Sequence, residues 1–154
     1  MKLDKILVPL DGSMLAEEAL SVACGFAERD GSLITLLRAA EAMPRPGGDP
    51  VEAQVTAIRE AEEYLAAVVR RLADKGVRRV ETHVWYGPPA AAIVEAAEAQ
   101  KADLIVMSTD GRNEFLDSLR GSHSERVLRH GVAPLLTVPV GALAATDPRE
   151  QFEE

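Results

Sequence analysis

The sequence predicts an open α/β fold in three layers, α/β/α, with a five-stranded parallel sheet and four helices. Short runs rich in branched apolar residues alternate four times with segments whose apolar residues recur at helical spacing. That order requires right-handed βαβ crossovers and helices on both faces of the sheet. One run, Asp103-Leu104-Ile105-Val106-Met107, is almost continuously apolar, the pattern of a strand covered on both sides. No repeat or linker divides the 154 residues, so residues 1–140 are expected to form one domain and 141–154 a flexible acidic tail.

Each element has its own signal. Lys5–Pro9 is strand-like in length and branching, and Pro9, which cannot donate to a ladder, is expected at the strand's end. Asp11-Gly12-Ser13 is turn chemistry, with Ser13 as an N-cap for a helix whose buried face carries Ala16, Ala19, Leu20, Ala23 and Ala27. Leu33–Leu37 is the second strand, and residues 43–50 are a loop on their proline and glycine content. Val51–Lys75 is a long helix with Val55, Ile58, Ala61, Leu65, Val68 and Leu72 on one stripe and Gly76 just past its end. Val77–Trp85 is the third strand, and Pro88-Pro89 opens a third helix buried through Ala92, Ile93, Ala96 and Ala97. After the fourth strand and a long loop, Ser122–His130 reads as a fourth helix and Pro134–Val140 as the fifth strand.

Composition narrows the functional classes. Acidic residues outnumber basic ones 25 to 17, for a formal charge of −8, which argues against a nucleic-acid-binding surface. The basic cluster Arg70, Arg71, Lys75, Arg78 and Arg79 is expected to be a solvated helix end. No run approaches the ~20 apolar residues of a membrane span, and the first residues lack a signal-peptide layout. A cytoplasmic protein without a membrane partner is expected. The single cysteine, Cys24, falls among helix-one core positions and reads as packing.

Ligands of open α/β sheets bind beyond the carboxyl ends of the strands. Two loops fall there: the one after strand one, beginning Pro9-Leu10-Asp11-Gly12-Ser13, and the connection from Ser108 to Ser122 after strand four. In the second, Gly111 and Gly121-Ser122 suit an anion, because glycine admits close backbone approach and a helix start presents free amides. The same residues also read as a turn and a cap. His123 and His130 lack the companions of a metal site, so no metal is expected. Ser122, Ser124, His123 and Asp110 lack the Gly-x-Ser-x-Gly elbow of a hydrolase. No general base or activated nucleophile stands out, so at most slow hydrolysis is expected.

Lys5–Ser13, Ala102–Met107 and Gly121–His130 together resemble the universal stress protein family, over residues 3–140. The resemblance implies a sheet in the order 3-2-1-4-5, a homodimer paired through strand five (Pro134 to Val140), and in many members an ATP site. By position it implies a nucleotide site of Pro9, Leu10, Asp11, Ala39, Met107, Ser108, Gly111, Gly121, Ser122 and His123. Asp11 would hydrogen-bond the adenosine, Ala39 would lie near the adenine edge, and Met107 would pack on base or ribose. The family pattern is Gly, two residues, Gly, nine residues, Gly, then Ser or Thr. Gly111, Gly121 and Ser122 match it, whereas Ser108 stands at the first glycine.

If that position needs a positive φ, serine costs roughly 1 kcal/mol. Asp110, Glu114 and Asp117 add charge that repels phosphate unless Mg2+ bridges them or Arg112 and Arg120 offset it. The expectation is therefore a homodimeric stress-response protein that binds ATP or a related adenine nucleotide as a regulatory ligand. The alternative is a nucleotide-free dimerisation and protein-interaction module of the same fold.

Overall fold

Residues 2–14, 16–42, 45–109 and 133–139 are described by the structure, a computed structural model. Their elements follow in the order β1 (Lys5–Leu10), α1 (Glu18–Asp30), β2 (Leu33–Ala40), α2 (Pro50–Asp74), β3 (Val80–Tyr86), α3 (Pro89–Gln100), β4 (Leu104–Thr109) and β5 (Leu135–Pro139). All neighbouring strands are parallel, and the sheet order is β3-β2-β1-β4-β5, as expected. Three helices stand among the described residues; the expected fourth, Ser122–His130, and the tail 141–154 lie outside them.

The strands sort their side chains with period two. Ile6, Val8 and Leu10 of β1, Ile34 and Leu36 of β2, and Leu104 and Val106 of β4 point to one core, where α1 contributes Ala19, Leu20 and Ala23 and α2 contributes Leu65, Val68 and Leu72. Leu7, Leu37, Ile105 and Met107 point the other way, onto Ile93, Ala96 and Ala97 of α3. Alanines on the buried faces of α1 and α3 let those helices lie close to the sheet. Cys24 packs against the first core, and burial pushes its thiol pKa up.

Several boundaries differ from expectation by a few residues, among them β1, β2 and β4, which run on to Leu10, Ala40 and Thr109; the ends of α1, α2 and β3 show the local chemistry involved. Helix α1 starts at Glu18, five residues after Ser13. Ser13 still acts as a cap, but of the turn before the helix: its Oγ accepts from the Ala16 amide at 3.1 Å. Strand β3 starts at Val80 because Val77 is used by the end of α2. There the Val77 amide donates to the Leu72 carbonyl and the Gly76 amide to the Ala73 carbonyl, the paired bonds of a left-handed helix stop with Gly76 at φ 87°. At the other end of α2, Asp49 is the cap, accepting from Val51 N at 2.9 Å, and Pro50 takes the first turn.

The amino edge of the sheet is tied by carboxylates. Asp103 Oδ2 accepts from the Asp4 and Lys5 amides at 3.0 and 2.9 Å, holding the start of β1 to the start of β4. Asp30 Oδ2 accepts from the Leu3 amide at 3.1 Å, while Arg29 donates to Asp30 Oδ1 at 2.9 Å. Arg29 first, and the Leu3 amide second, hold the Asp30 carboxyl down at about 2. A carboxyl lowered in the folded state stabilises above its unfolded pKa of about 4 and loses that contribution as pH falls toward the folded value. Stability measured by urea denaturation is therefore expected to fall less steeply below pH ~4 in Asp30→Asn than in the natural protein; parallel profiles would contradict the assignment.

Candidate functional site

The ladder between β1 and β2 runs the full length of β1, ending at Leu10 opposite Arg38. The ladder between β1 and β4 covers Ile6 and Leu7 alone, opposite Leu104 and Ile105. The chain passes from β1 to β2 on one side and reaches β4 on the other, so the strand order reverses at β1. Such a reversal is where open sheets form their ligand crevice.

The turn leaving β1 is tightly organised. Asp11 Oδ1 accepts from the Ser13 amide at 2.8 Å and from Ser13 Oγ at 2.5 Å. Gly12, between them, has φ 89°, in the region that favours glycine. A Cβ at Gly12 would lie 2.6 Å from Arg38 Nη1. The turn can therefore rest on the Arg38 guanidinium because residue 12 has no side chain.

A cleft of about 270 Å³ opens at this end of the sheet. Leu10 and Asp11 line it from β1 and its turn, Arg38, Ala39 and Ala40 from β2, and Glu41 from the residue after β2. Ala57, Glu60 and Ala61 of α2 and Pro89 of α3 complete the wall. Arg38 follows Ile34 and Leu36 along the face of β2 that packs on α1 and α2, a face that is otherwise apolar. Its Cζ lies 5.2 Å from the centre of the Tyr64 ring, a cation–π arrangement. Tyr64 donates its hydroxyl to Glu17 Oε1 at 3.3 Å, and Arg71 donates to the same oxygen. Burial, then the neighbouring Glu17 carboxylate, push the Tyr64 hydroxyl up to about 12, so it remains a donor at ordinary pH.

Of the residues singled out from sequence, the structure brings Leu10, Asp11 and Ala39 together around the cleft. Pro9 is buried in β1, one position before its end. Met107, 3% exposed, packs in the core beneath α3 and is not among the cleft-lining residues. Ser108 is half-buried in β4, opposite Val138. Its φ is not positive, so the left-handed cost considered for a serine there does not arise. Gly111, Gly121, Ser122 and His123 lie outside the described residues, as do Asp110 and the loop charges Arg112, Glu114, Asp117 and Arg120. Arg38, Glu41 and Glu60 were not among the sequence candidates. The available signal was a charge on the core-facing register of an otherwise apolar strand. No cluster of metal-ligating side chains occurs among the described residues, and no helix there is long and apolar enough to cross a membrane.

The universal stress protein family model matches residues 2–139. A universal stress protein of Thermus aquaticus is 36% identical over 135 residues, covering 86% of this chain and 96% of that protein. A crystal structure of a family member from Burkholderia pseudomallei superposes with a TM-score of 0.67 at 28% identity, covering 90% of this chain and 97% of that one. Two more distant structures share the fold. One, from Arabidopsis thaliana, has AMP bound (TM-score 0.63, 17% identity, covering 95% of this chain and 98% of that one). The other is a universal stress protein in complex with cAMP (TM-score 0.57, 24% identity, covering 91% of this chain and 99% of that one).

The Gly12 contact gives a direct test of the site's construction. Gly12→Ala places a Cβ against Arg38 and forces an L residue into the left-handed region, at a cost of about 1–2 kcal/mol. The urea denaturation midpoint is expected to fall accordingly; an unchanged midpoint would show that residue 12 does not need the left-handed conformation.

Proposed function

The chain belongs to the universal stress protein family, and we propose that it is a homodimeric stress-response protein that binds ATP or a related adenine nucleotide as a regulatory ligand. The observation that carries the proposal is the cleft, which gathers Leu10, Asp11 and Ala39 at the carboxyl ends of β1 and β2. It lies at the carboxyl edge of the sheet, next to the β1–β4 reversal of strand order, the edge at which an open α/β sheet receives its ligand. The AMP and cAMP complexes of the distant relatives lend the ligand class.

In this reading the nucleoside occupies the cleft. Asp11 accepts from the ribose or the base, Ala39 offers its backbone to the adenine edge, and Leu10 packs against the ring. Pro9 supports the floor from within β1. Met107 and Ser108 border the site from β4, and the backbone of Gly111, Gly121, Ser122 and His123 cradles the phosphates, with Mg2+ bridging phosphate and nearby carboxylates. The ligand acts by being bound, as a signal, and the protein works in the cytoplasm. Among the described residues strand β5 has β4 as its one neighbour in the sheet, and pairing of its outer edge with its copy across a two-fold axis makes the dimer.

A second reading has its own support: Asp11, Glu41 and Glu60 all line the cleft, and like charge repels a polyphosphate. On that basis the fold would serve as a nucleotide-free dimerisation and interaction module. Calorimetric titration with ATP and Mg2+ separates the two. The nucleotide reading expects saturable heat, and an affinity about tenfold weaker or more in Asp11→Ala, the scale of a lost hydrogen bond to a charged group. No heat at millimolar nucleotide rejects it, and binding that emerges only in Ser108→Gly assigns the natural protein to the second reading. Sedimentation velocity is expected to show a dimer at micromolar concentration, and a monomer there refutes pairing through β5.

A further inference from the structure

Arg38 stands out among the described residues because its surroundings orient it without satisfying it. Its Nη1 is buried and has no hydrogen-bond partner. A buried donor left unpaired is destabilising until an acceptor answers it. Three carboxylates, Asp11, Glu41 and Glu60, line the same cleft, yet none of the ion pairs among the described residues includes Arg38. The guanidinium is placed over the Tyr64 ring, with Nη1 against the Gly12 position. A cation–π contact engages the charge of the group and uses none of its N–H donors on an acceptor. Tyr64 is in turn held by Glu17, and Glu17 by Arg71.

Resting on the nucleotide reading above, we propose that Arg38 is a specificity-determining residue that donates to an uncharged acceptor on the nucleoside, a ring nitrogen of the base or an oxygen of the ribose. Two arguments select the nucleoside over phosphate. Arg38 sits on β2, opposite Leu10, whereas the segment proposed for the phosphates leaves β4 on the far side of β1. Two strand spacings, about 10 Å, separate those positions. The carboxylates at the nucleoside end also make it a poor place for a second anion. A neutral acceptor answers the guanidinium without meeting that repulsion. Because Nη1 touches the Gly12 position, a ligand that engages Arg38 also bears on the β1 turn.

The test compares adenosine with ATP·Mg2+, by calorimetry on the natural protein, Arg38→Met and Arg38→Lys, with Tm recorded for each. The expected result is that Arg38→Met weakens both ligands by the same factor, about tenfold, and that Arg38→Lys recovers part of the loss for both. Weaker ATP with unchanged adenosine overturns the proposal in favour of a phosphate contact. A changed Tm with both affinities intact overturns it in favour of a purely structural arginine. If Arg38→Met does not fold, Arg38→Gln is read by the same comparison of the two ligands. Absence of heat from the natural protein with either ligand overturns the nucleotide reading itself, whereas binding by the natural protein that no Arg38 variant alters overturns this role alone.

Discussion

Strand β1 is hydrogen-bonded to a parallel neighbour on each side, and its residues Ile6, Leu7 and Val8 are wholly buried. The other elements take their places from it. Because its side chains alternate between two cores, α1 and α2 must cover one face and α3 the other. Its ladder with β2 is long and its ladder with β4 short, so the carboxyl ends are joined firmly on the β2 side and loosely on the β4 side. The cleft lies on the β2 side, between the carboxyl ends of β1 and β2 and the wall of α2.

The side chains then give the cleft its character. A guanidinium on the core-facing register of β2 would be costly if it pointed into the centre of the apolar layer. At the last turn of the sheet it can be accommodated, because Tyr64 covers one side and Gly12 leaves room at its tip. The contacts continue outward from Arg38 to Tyr64, Glu17 and Arg71, so the β1 turn, the start of α1 and the middle of α2 meet around one cation. Small residues on the α2 wall, Ala57 and Ala61, keep the space between them open.

The architecture was legible because it depends on periodicity, which survives without knowledge of the partners. The continuous apolar runs Lys5–Pro9 and Leu104–Met107, and the helical stripe from Ala61 to Leu72, are visible in one dimension, and their residues divide between the two cores. Boundaries were less legible where backbone bonds compete: Val77 has the composition of a strand residue, but its amide closes α2. Within the site, Asp11 and Gly12 could be found from turn chemistry, and Leu10 and Ala39 through the family resemblance. Arg38 was missed because a single charge at the end of an apolar run reads as solvent-facing. Only the register, Leu10 opposite Arg38, places it on the inner face. Glu60 is exposed, as an acidic residue on a long amphipathic helix ordinarily is, and only the fold brings it to the wall of the cleft.

The charges of the cleft also bear on how a ligand could be used. Among the described residues one cation and three carboxylates share its walls, an arrangement suited to reading donors and acceptors on a neutral group. Binding strength would then come chiefly from the nucleoside, held between β1 and β2, while the phosphates extend past β1 toward β4. A ligand anchored at one end and reporting at the other bridges the loosely joined side of the sheet. Its presence would be communicated through the β1 turn and the helix that follows.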